Sequence, residues 1–235
     1  MVHRVIPRGG SSSLRIGGLE QMSLVDWPGQ LAAVIFCQGC GWQCRYCHNP
    51  HLIPFPPSSK YAWEDILPWL EHRRGLLDAV VFSGGEPTLH AGLHAAMQQA
   101  RALNFKIGLH TAGPLPEKLS PLLPLLDWVG FDFKAPFFSY ARITGHAHGK
   151  QAWTSFQMLR SAHIPCEVRT TWHPDLLSNG DLSDMARSLT EAGCTEWVIQ
   201  RFRPDGCSDE KLRTASIGVV PVEAINVPGL NILVR

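Results

Sequence analysis

Three cysteines lie close together near residue 40 of this 235-residue chain, in the segment Cys40-Gly-Trp-Gln-Cys44-Arg-Tyr-Cys47. Three thiolates at this spacing can bind a cubane iron–sulfur cluster and leave one of its four irons without a protein ligand. Structural metal sites are normally closed by protein ligands, whereas reactive sites keep an open position. The spacing therefore predicts a 4Fe–4S cluster at which another molecule binds and reacts.

Cys37 leaves a second interpretation open. With it, four cysteines fall within eleven residues as two adjacent pairs, a pattern that also suits a four-cysteine zinc site in a non-enzymatic binding module. Cys37 ends an apolar run, which favours a buried small residue over a ligand. Cys166, Cys194 and Cys207 stand alone, so we expect one cluster. An odd total of seven cysteines favours metal binding in a reducing compartment over disulfides.

A second motif is the run Ser83-Gly84-Gly85-Glu86-Pro87. Paired glycines let the backbone approach a ligand closely, and Glu86 adds a carboxylate. Bare backbone and a carboxylate beside an open iron would suit an amino acid whose ammonium group they bind and which also chelates that iron. The motif therefore predicts part of a binding pocket.

Short apolar and β-branched runs recur along the chain and alternate with segments of helical periodicity. The first two runs flank Asp26-Trp27-Pro28-Gly29, where Pro28 and Gly29 suit the centre of a type II turn, so we expect an N-terminal β-hairpin. Five later runs occupy residues 79–82, 106–109, 128–131, 167–171 and 196–199. Residues 227–234 also have strand-like content, and we expect them to pack on the domain.

Two helices are expected from the pattern between these runs. An apolar stripe from Leu89 to Leu103 predicts a helix between the second and third strands, and Asp181 and Gly193 are expected to cap and end another. Six strands that alternate with helices predict an α/β fold, a partial (βα)6 TIM-like barrel preceded by the hairpin. The carboxyl ends of such strands gather reactive loops at one rim.

Composition indicates one enzyme domain, expected to span residues 14–235 behind a flexible lead-in at residues 1–13. The hydrophobic fraction of 45% is enough for a substantial core. With 21 basic and 20 acidic residues, no strong field favours nucleic acid or an anionic membrane surface. The longest apolar stretch near the N-terminus is too short to span a bilayer. We therefore expect a cytoplasmic protein with neither a nucleic acid nor a membrane as a partner.

The cysteine segment with Tyr46 before its last cysteine, followed by the Gly84-Gly85-Glu86-Pro87 turn, resembles the radical S-adenosylmethionine superfamily. Within it, three further segments resemble the activating proteins of anaerobic ribonucleoside-triphosphate reductase. These segments are Ser23-Leu-Val-Asp-Trp-Pro-Gly-Gln30, Cys47-His-Asn-Pro50 and Asp132-Phe-Lys-Ala-Pro136. The likeness runs from about residue 16 to about residue 204.

The resemblance implies two cofactors, a 4Fe–4S cluster and S-adenosylmethionine, and a role for each matching residue. Cys40, Cys44 and Cys47 would hold the cluster, whose fourth iron binds the methionyl amine and carboxylate. The remaining positions would contact the nucleotide cosubstrate: Tyr46 the adenine through its backbone, Gly84, Gly85 and Glu86 the methionyl ammonium, Thr111, Asp132 and Lys134 its carboxylate, and Arg169 the ribose or carboxylate.

The implied activity is installation of a glycyl radical on another protein. One-electron reduction of S-adenosylmethionine would give methionine and a 5′-deoxyadenosyl radical that takes an α hydrogen from a glycine. The implied partners are the glycyl-radical loop of anaerobic ribonucleoside-triphosphate reductase and an electron donor of the flavodoxin or ferredoxin type. A radical enzyme acting on a small molecule, similar to 7-carboxy-7-deazaguanine synthase, is the alternative within the same superfamily.

Overall fold

The computed structural model describes residues 14–225 and 227–235, and the predicted lead-in at residues 1–13 lies outside this part of the chain. One eight-stranded sheet organises the domain, with its strands in chain order. The strands are Ile16–Ser23 (β1), Ala32–Cys37 (β2), Ala79–Gly84 (β3), Lys106–Thr111 (β4), Trp128–Asp132 (β5), Cys166–Trp172 (β6), Glu196–Arg201 (β7) and Asn231–Val234 (β8).

The predicted hairpin is confirmed. β1 pairs antiparallel with β2, and Ile16 lies opposite Cys37. In the connection, the Gln30 amide donates to the Trp27 carbonyl at 3.1 Å, and Gly29 has a φ of +78°. That left-handed conformation is the one a type II turn requires at its third position, and glycine adopts it without strain.

β2 to β8 are parallel to one another, so the sheet holds seven parallel strands where six were predicted. The additional strand is β8, which pairs along β7 at the edge of the sheet. Of the strand-like segment 227–234, residues 231–234 therefore extend the sheet at its edge. The sheet is open, as expected for a partial barrel.

Seven helices lie between or after the strands in the described residues: Trp63–Glu71 (α1), Leu93–Ala102 (α2), Pro116–Leu119 (α3), Tyr140–Thr144 (α4), Gly149–Ser161 (α5), Asn179–Glu191 (α6) and Glu210–Thr214 (α7). No helix in this part of the chain is both long and apolar enough to cross a membrane. The predicted helix after β3 is confirmed as α2, but it begins at Leu93 because Pro87–Leu89 forms a separate 3-10 turn.

The start of α6 corrects a detail of the prediction. Ser178, and not Asp181, is the N-cap residue, and its hydroxyl accepts from the Asp181 amide. The Asp181 carboxylate accepts in turn from the Ser178 amide, which completes a capping box. Gly193 follows the helix with a φ of +75°, as expected of a residue that ends it.

Two apolar clusters lie on opposite faces of the sheet. The larger contains Ile35 of β2 and Phe82 of β3 together with the buried residues of the helices. The smaller is formed by Trp27, Ala32, Val34, Ala79, Val81 and Trp128, and none of the helices described above contributes to it. Because side chains alternate along a strand, residues in register with this second face, including His110, Asp132 and Arg169, lie on the inside of the partial barrel.

Candidate active site

The three cysteines of the first motif lie in the loop that follows β2. Three hydrogen bonds fix this loop to other segments: the Cys40 amide donates to Ile53 at 3.0 Å, the Gln43 amide to Thr144 at 2.9 Å and the Arg45 amide to Ile143 at 3.0 Å. The sequence 40–47 therefore folds against α4 and against the chain before α1, and the backbone around the thiols is held on two sides.

Burial raises the pKa of the Cys40 thiol to about 12, and it also raises the pKa of Cys44 and of Cys47. All three side chains are nevertheless partly exposed. Across residues 14–225 and 227–235, no three His, Cys, Asp or Glu side chains converge closely enough to hold a single metal ion. Such thiols suit a 4Fe–4S cluster in which each cysteine sulfur binds a different iron. The positive charge of the bound iron would stabilise thiolates that burial otherwise disfavours.

Cys37 is separate from these three. It is the last residue of β2 and is fully buried in the larger apolar cluster. Burial raises its pKa well above the usual range, first through desolvation and then through the nearby Glu86. The interpretation of Cys37 as a core residue agrees with this position.

Gly84 and Gly85 lie where β3 meets the start of the cysteine loop. Gly84 has a φ of +104°, and a Cβ at this residue would collide with the backbone of Cys37. At Gly85 a Cβ would collide with the carbonyl group of Gly39. The two glycines are therefore required by the close approach of two protein segments, which brings the second motif against the first.

The Glu86 side chain points into the protein. Its Oε1 accepts from the Thr88 amide at 3.1 Å, the Thr88 hydroxyl at 2.6 Å and the Thr111 hydroxyl at 2.8 Å, while Oε2 accepts from the Ala112 amide at 3.1 Å. Only 4% of Glu86 is exposed. The carboxylate thus connects the β3 loop to the end of β4, and its four donors all come from the protein.

Asp132 at the carboxyl end of β5 and Lys134 just after it meet Arg169, which lies in the middle of β6. Asp132 Oδ2 lies 3.4 Å from Lys134 Nζ, and Oδ1 accepts from Arg169 Nε at 3.3 Å. Burial alone would raise the pKa of Asp132, but the two cations lower it below its usual value. Two cations and one anion leave a net charge of +1, which suits the carboxylate of a ligand.

Lys134 also links this group to the cysteine loop. Its ammonium lies 5.4 Å from the ring centroid of Tyr46, close enough for a cation–π interaction. Burial disfavours the ammonium, yet Tyr46 and Asp132 raise the pKa of Lys134 well above its usual value. The Tyr46 side chain itself is buried in the larger cluster, so its ring anchors the cysteine loop to the core.

His110 joins two segments of the site in a way that the sequence did not indicate. Its Nε2 lies 2.8 Å from the Asp26 carbonyl and its Nδ1 3.0 Å from the Ser83 hydroxyl. A carbonyl only accepts, so Nε2 carries the hydrogen and Nδ1 accepts from Ser83. Arg169 Nη1 also lies 3.3 Å from Nε2, and because both nitrogens carry hydrogen in this tautomer the contact is not a hydrogen bond. Burial and this guanidinium lower the pKa of His110 to about 3, so the ring is neutral.

Tyr46, Asp132, Lys134 and Arg169 come together, whereas Thr111, which was predicted to contact the methionyl carboxylate, and His173 do not face the same space. Thr111 is buried and turned towards Glu86, and His173, which follows β6, is fully buried with Nε2 donating to the Leu212 carbonyl at 3.3 Å. His173 therefore anchors the C-terminal part of the chain. The position of His173 follows from the packing of α7 against the end of β6, and the pattern of strands in the sequence does not predict this contact.

A comparison with protein families identifies residues 34–196, more than half of the chain, as matching the Radical SAM superfamily. A Methanocaldococcus jannaschii protein named as a glycyl-radical enzyme activating enzyme is 28% identical over 219 residues, which cover 84% of each chain. The pyruvate formate-lyase-activating enzyme of Staphylococcus aureus is 37% identical over 222 residues, covering 92% of this chain and 78% of that enzyme.

Solved structures show the same fold. Streptococcus suis SuiB bound to S-adenosylmethionine aligns with a TM-score of 0.65 at 11% identity, over 84% of this chain and 48% of SuiB. Escherichia coli QueE aligns with a TM-score of 0.57 at 14% identity, over 95% of this chain and 94% of QueE. The interpretation as a non-enzymatic zinc module is therefore wrong. The chain is an enzyme that belongs to the radical S-adenosylmethionine superfamily, uses a 4Fe–4S cluster and S-adenosylmethionine, and is homologous to glycyl-radical enzyme activating enzymes.

Proposed function

We propose that this enzyme activates a glycyl-radical enzyme, and that its target is the anaerobic ribonucleoside-triphosphate reductase. The observation that carries the proposal is the meeting of three partly exposed thiols with a cationic group at one end of the sheet. Lys134 connects the two, since its ammonium lies 5.4 Å from the ring centroid of Tyr46, which stands between Cys44 and Cys47 in the chain.

Cys40, Cys44 and Cys47 would hold the cluster in the loop after β2. When bound, the reduced cluster supplies one electron that cleaves S-adenosylmethionine to methionine and a 5′-deoxyadenosyl radical. The protein's task is then to hold the cosubstrate, exclude water and place one C–H bond within contact distance of the reacting carbon.

The cosubstrate would be held by the group formed by Asp132, Lys134 and Arg169. Lys134 and Arg169 would bind the methionyl carboxylate, with Asp132 keeping the two cations in place. The backbone of Gly84 and Gly85 would receive the methionyl ammonium. Glu86 and Thr111 would form the wall behind this pocket without contacting the cosubstrate directly, because the Thr111 hydroxyl already donates to the Glu86 carboxylate.

A glycine suits the reaction as a substrate residue. Its radical is stabilised by the flanking amides, and no side chain blocks entry into the barrel. The relatives that carry activating-enzyme names and align over most of this chain support a protein substrate. Likeness to the reductase activators in residues 23–30 and 132–136 supports the specific target. The two segments lie close together in the fold, because the Asp26 carbonyl contacts His110, and Asp132 pairs with Arg169, which lies beside His110.

The test begins with anaerobic reconstitution of the full chain with iron and sulfide. With a strong reductant and S-adenosylmethionine, we expect 5′-deoxyadenosine. Addition of the anaerobic reductase is expected to produce a glycyl electron-spin signal, and pyruvate formate-lyase serves as the competing protein substrate. A flavodoxin- or ferredoxin-type donor is expected to replace the chemical reductant.

Three outcomes would change the proposal. A signal on pyruvate formate-lyase and none on the reductase would retain the activase and reject the target. Turnover of a pterin without any protein partner would favour the small-molecule alternative. Failure to form 5′-deoxyadenosine at full iron loading would reject both radical reactions.

A further inference from the structure

Residues 202–212, called the clamp segment below, pack against the cysteine loop from outside the part of the chain that matches the superfamily. That match ends at residue 196. The clamp segment follows β7 and runs into α7, whose Leu212 is fully buried. Its contacts with the loop fall at Arg45 and His48, on either side of Tyr46 and Cys47.

Arg45 is bound on two sides. Its amide donates to the Ile143 carbonyl of α4, as described above. Towards the clamp segment, Arg45 Nε donates to Asp209 Oδ2 at 2.8 Å, and the Arg45 carbonyl accepts from the Cys207 thiol at 3.2 Å. The residue between Cys44 and Tyr46 is thus fixed through its backbone and its side chain by two segments far away in sequence.

His48 is the second contact. Its ring stacks on Phe202, with ring centroids 5.7 Å apart. A Cβ at Gly206 would collide with the His48 carbonyl, so the clamp backbone touches the loop backbone there. Gly206 has a φ of +78°, which glycine adopts readily.

The clamp segment is itself held in place. The Phe202 amide donates to the Trp172 carbonyl at 3.0 Å, and His173 donates to Leu212. Asp209 has two tasks, because its Oδ1 accepts from the Lys211 and Leu212 amides as the N-cap of α7 while Oδ2 binds Arg45. The clamp segment is therefore anchored at the carboxyl end of β6, and through Arg45 and His48 it holds the cysteine loop in place.

We propose that Asp209 and Cys207 are positioning residues, which hold the segment from Cys44 to Cys47 in the geometry that binds the cluster. The proposal rests on the proposed role of the three cysteines. A loop that must place three sulfurs on three irons gains from restraint on both sides, because each unrestrained residue adds conformational entropy that cluster binding must overcome.

Asp209→Ser separates the two tasks of this residue, since serine is also a good N-cap but carries no charge to pair with Arg45. Asp205→Ser is the matched control, because Asp205 is an exposed carboxylate in the same segment. Cys207→Ala removes the thiol donor, and Cys207→Ser restores a hydroxyl donor at the same place. All four variants are made in the full chain.

The first measurement is amide hydrogen exchange of residues 41–49 in the metal-free protein, and the second is iron release from the reconstituted protein to a chelator. We expect Asp209→Ser to accelerate both by up to about fivefold, the effect of one partly exposed ion pair. Cys207→Ala is expected to accelerate both as well, with Cys207→Ser and Asp205→Ser close to the wild type.

Exchange and iron release in Asp209→Ser and Cys207→Ala equal to those of the wild type would overturn the proposal. An increase that spreads over the whole domain would also overturn it, because it would indicate a general loss of stability. Exchange in the metal-free protein does not depend on cleavage of S-adenosylmethionine, so failure of the proposed function and failure of the clamp give different results.

Discussion

The Thr111 hydroxyl donates to the Glu86 carboxylate at 2.8 Å, across the junction between the β3 loop and the end of β4. With the Ala112 amide on the other oxygen, this contact fixes two adjacent strand ends to each other. Burial raises the pKa of Glu86, while hydrogen bonds from Thr88 and Thr111 oppose that rise. The acidic residue of the second motif is therefore part of the framework behind the pocket.

Replacement of Glu86 by Gln is expected to lower the free energy of unfolding by about 1–3 kcal/mol. An amide offers one acceptor oxygen, so its NH2 group would face either the Ala112 amide or the donors of Thr88 and Thr111. Denaturant unfolding of the metal-free protein measures the loss, and Glu64→Gln on the exposed surface of α1 is the control. Weaker S-adenosylmethionine binding at unchanged stability would instead show direct contact with the ammonium.

Alanine at Cys40, Cys44 or Cys47 is expected to abolish retention of the cluster, because a single protein ligand binds each of three irons. Alanine at Cys37 is expected to keep the cluster at a stability cost of about 1 kcal/mol for the lost buried sulfur. Iron and sulfide analysis and electron-spin spectra of the reduced protein provide the measurement. Loss of the cluster in the Cys37 variant would contradict the assignment of three ligands.

Lys134→Met is expected to weaken S-adenosylmethionine binding by about 10- to 100-fold, the value of a charge-assisted contact of roughly 1.5–3 kcal/mol. Arg169 remains beside Asp132 in this variant, so the strand ends keep one ion pair. Equilibrium binding to the reconstituted protein measures the effect, with the exposed Lys150→Met as the matched control. Equal affinity in the two variants would place the carboxylate elsewhere.

The stability of the metal-free protein is expected to decrease as the pH falls below about 6.5. His110 takes up a proton only near pH 3 in the folded state, whereas in the unfolded chain it does so near its usual pKa of 6.5. Between these values the unfolded state binds the extra proton, so stability is complete above 6.5 and is lost as the pH falls.

The slope from one such group is about 1.4 kcal/mol per pH unit. The His110→Gln variant has no imidazole to protonate in the unfolded state, so its free energy of unfolding is expected to fall less steeply than that of the wild type between pH 6 and pH 4. His90, whose pKa burial and Arg15 lower to about 4, remains in the variant and retains a slope of its own. The measurement is the denaturant midpoint of unfolding as a function of pH. Parallel curves for the wild type and the variant would contradict a neutral His110 ring in the folded protein.

The sequence by itself determined the order of the strands, the hairpin turn and the place of the reactive loops. These features depend on residues close together in the chain: Gly29 at the turn, the short apolar and β-branched runs in β3 to β7, and Gly193 after α6. Parallel strands bring their carboxyl ends to one side, so the position of the cysteine loop and of residues 132 and 134 at one rim follows from the order of the elements alone.

Only the tertiary structure decided the partner of each side chain. The direction of the Glu86 carboxylate depends on Thr111 and Ala112, and the tautomer of His110 depends on the carbonyl of Asp26, 84 residues away. The bond from Arg45 to Asp209 spans 164 residues. Such contacts follow from how separate segments pack on one another, and a local pattern of residue types carries no information about that packing.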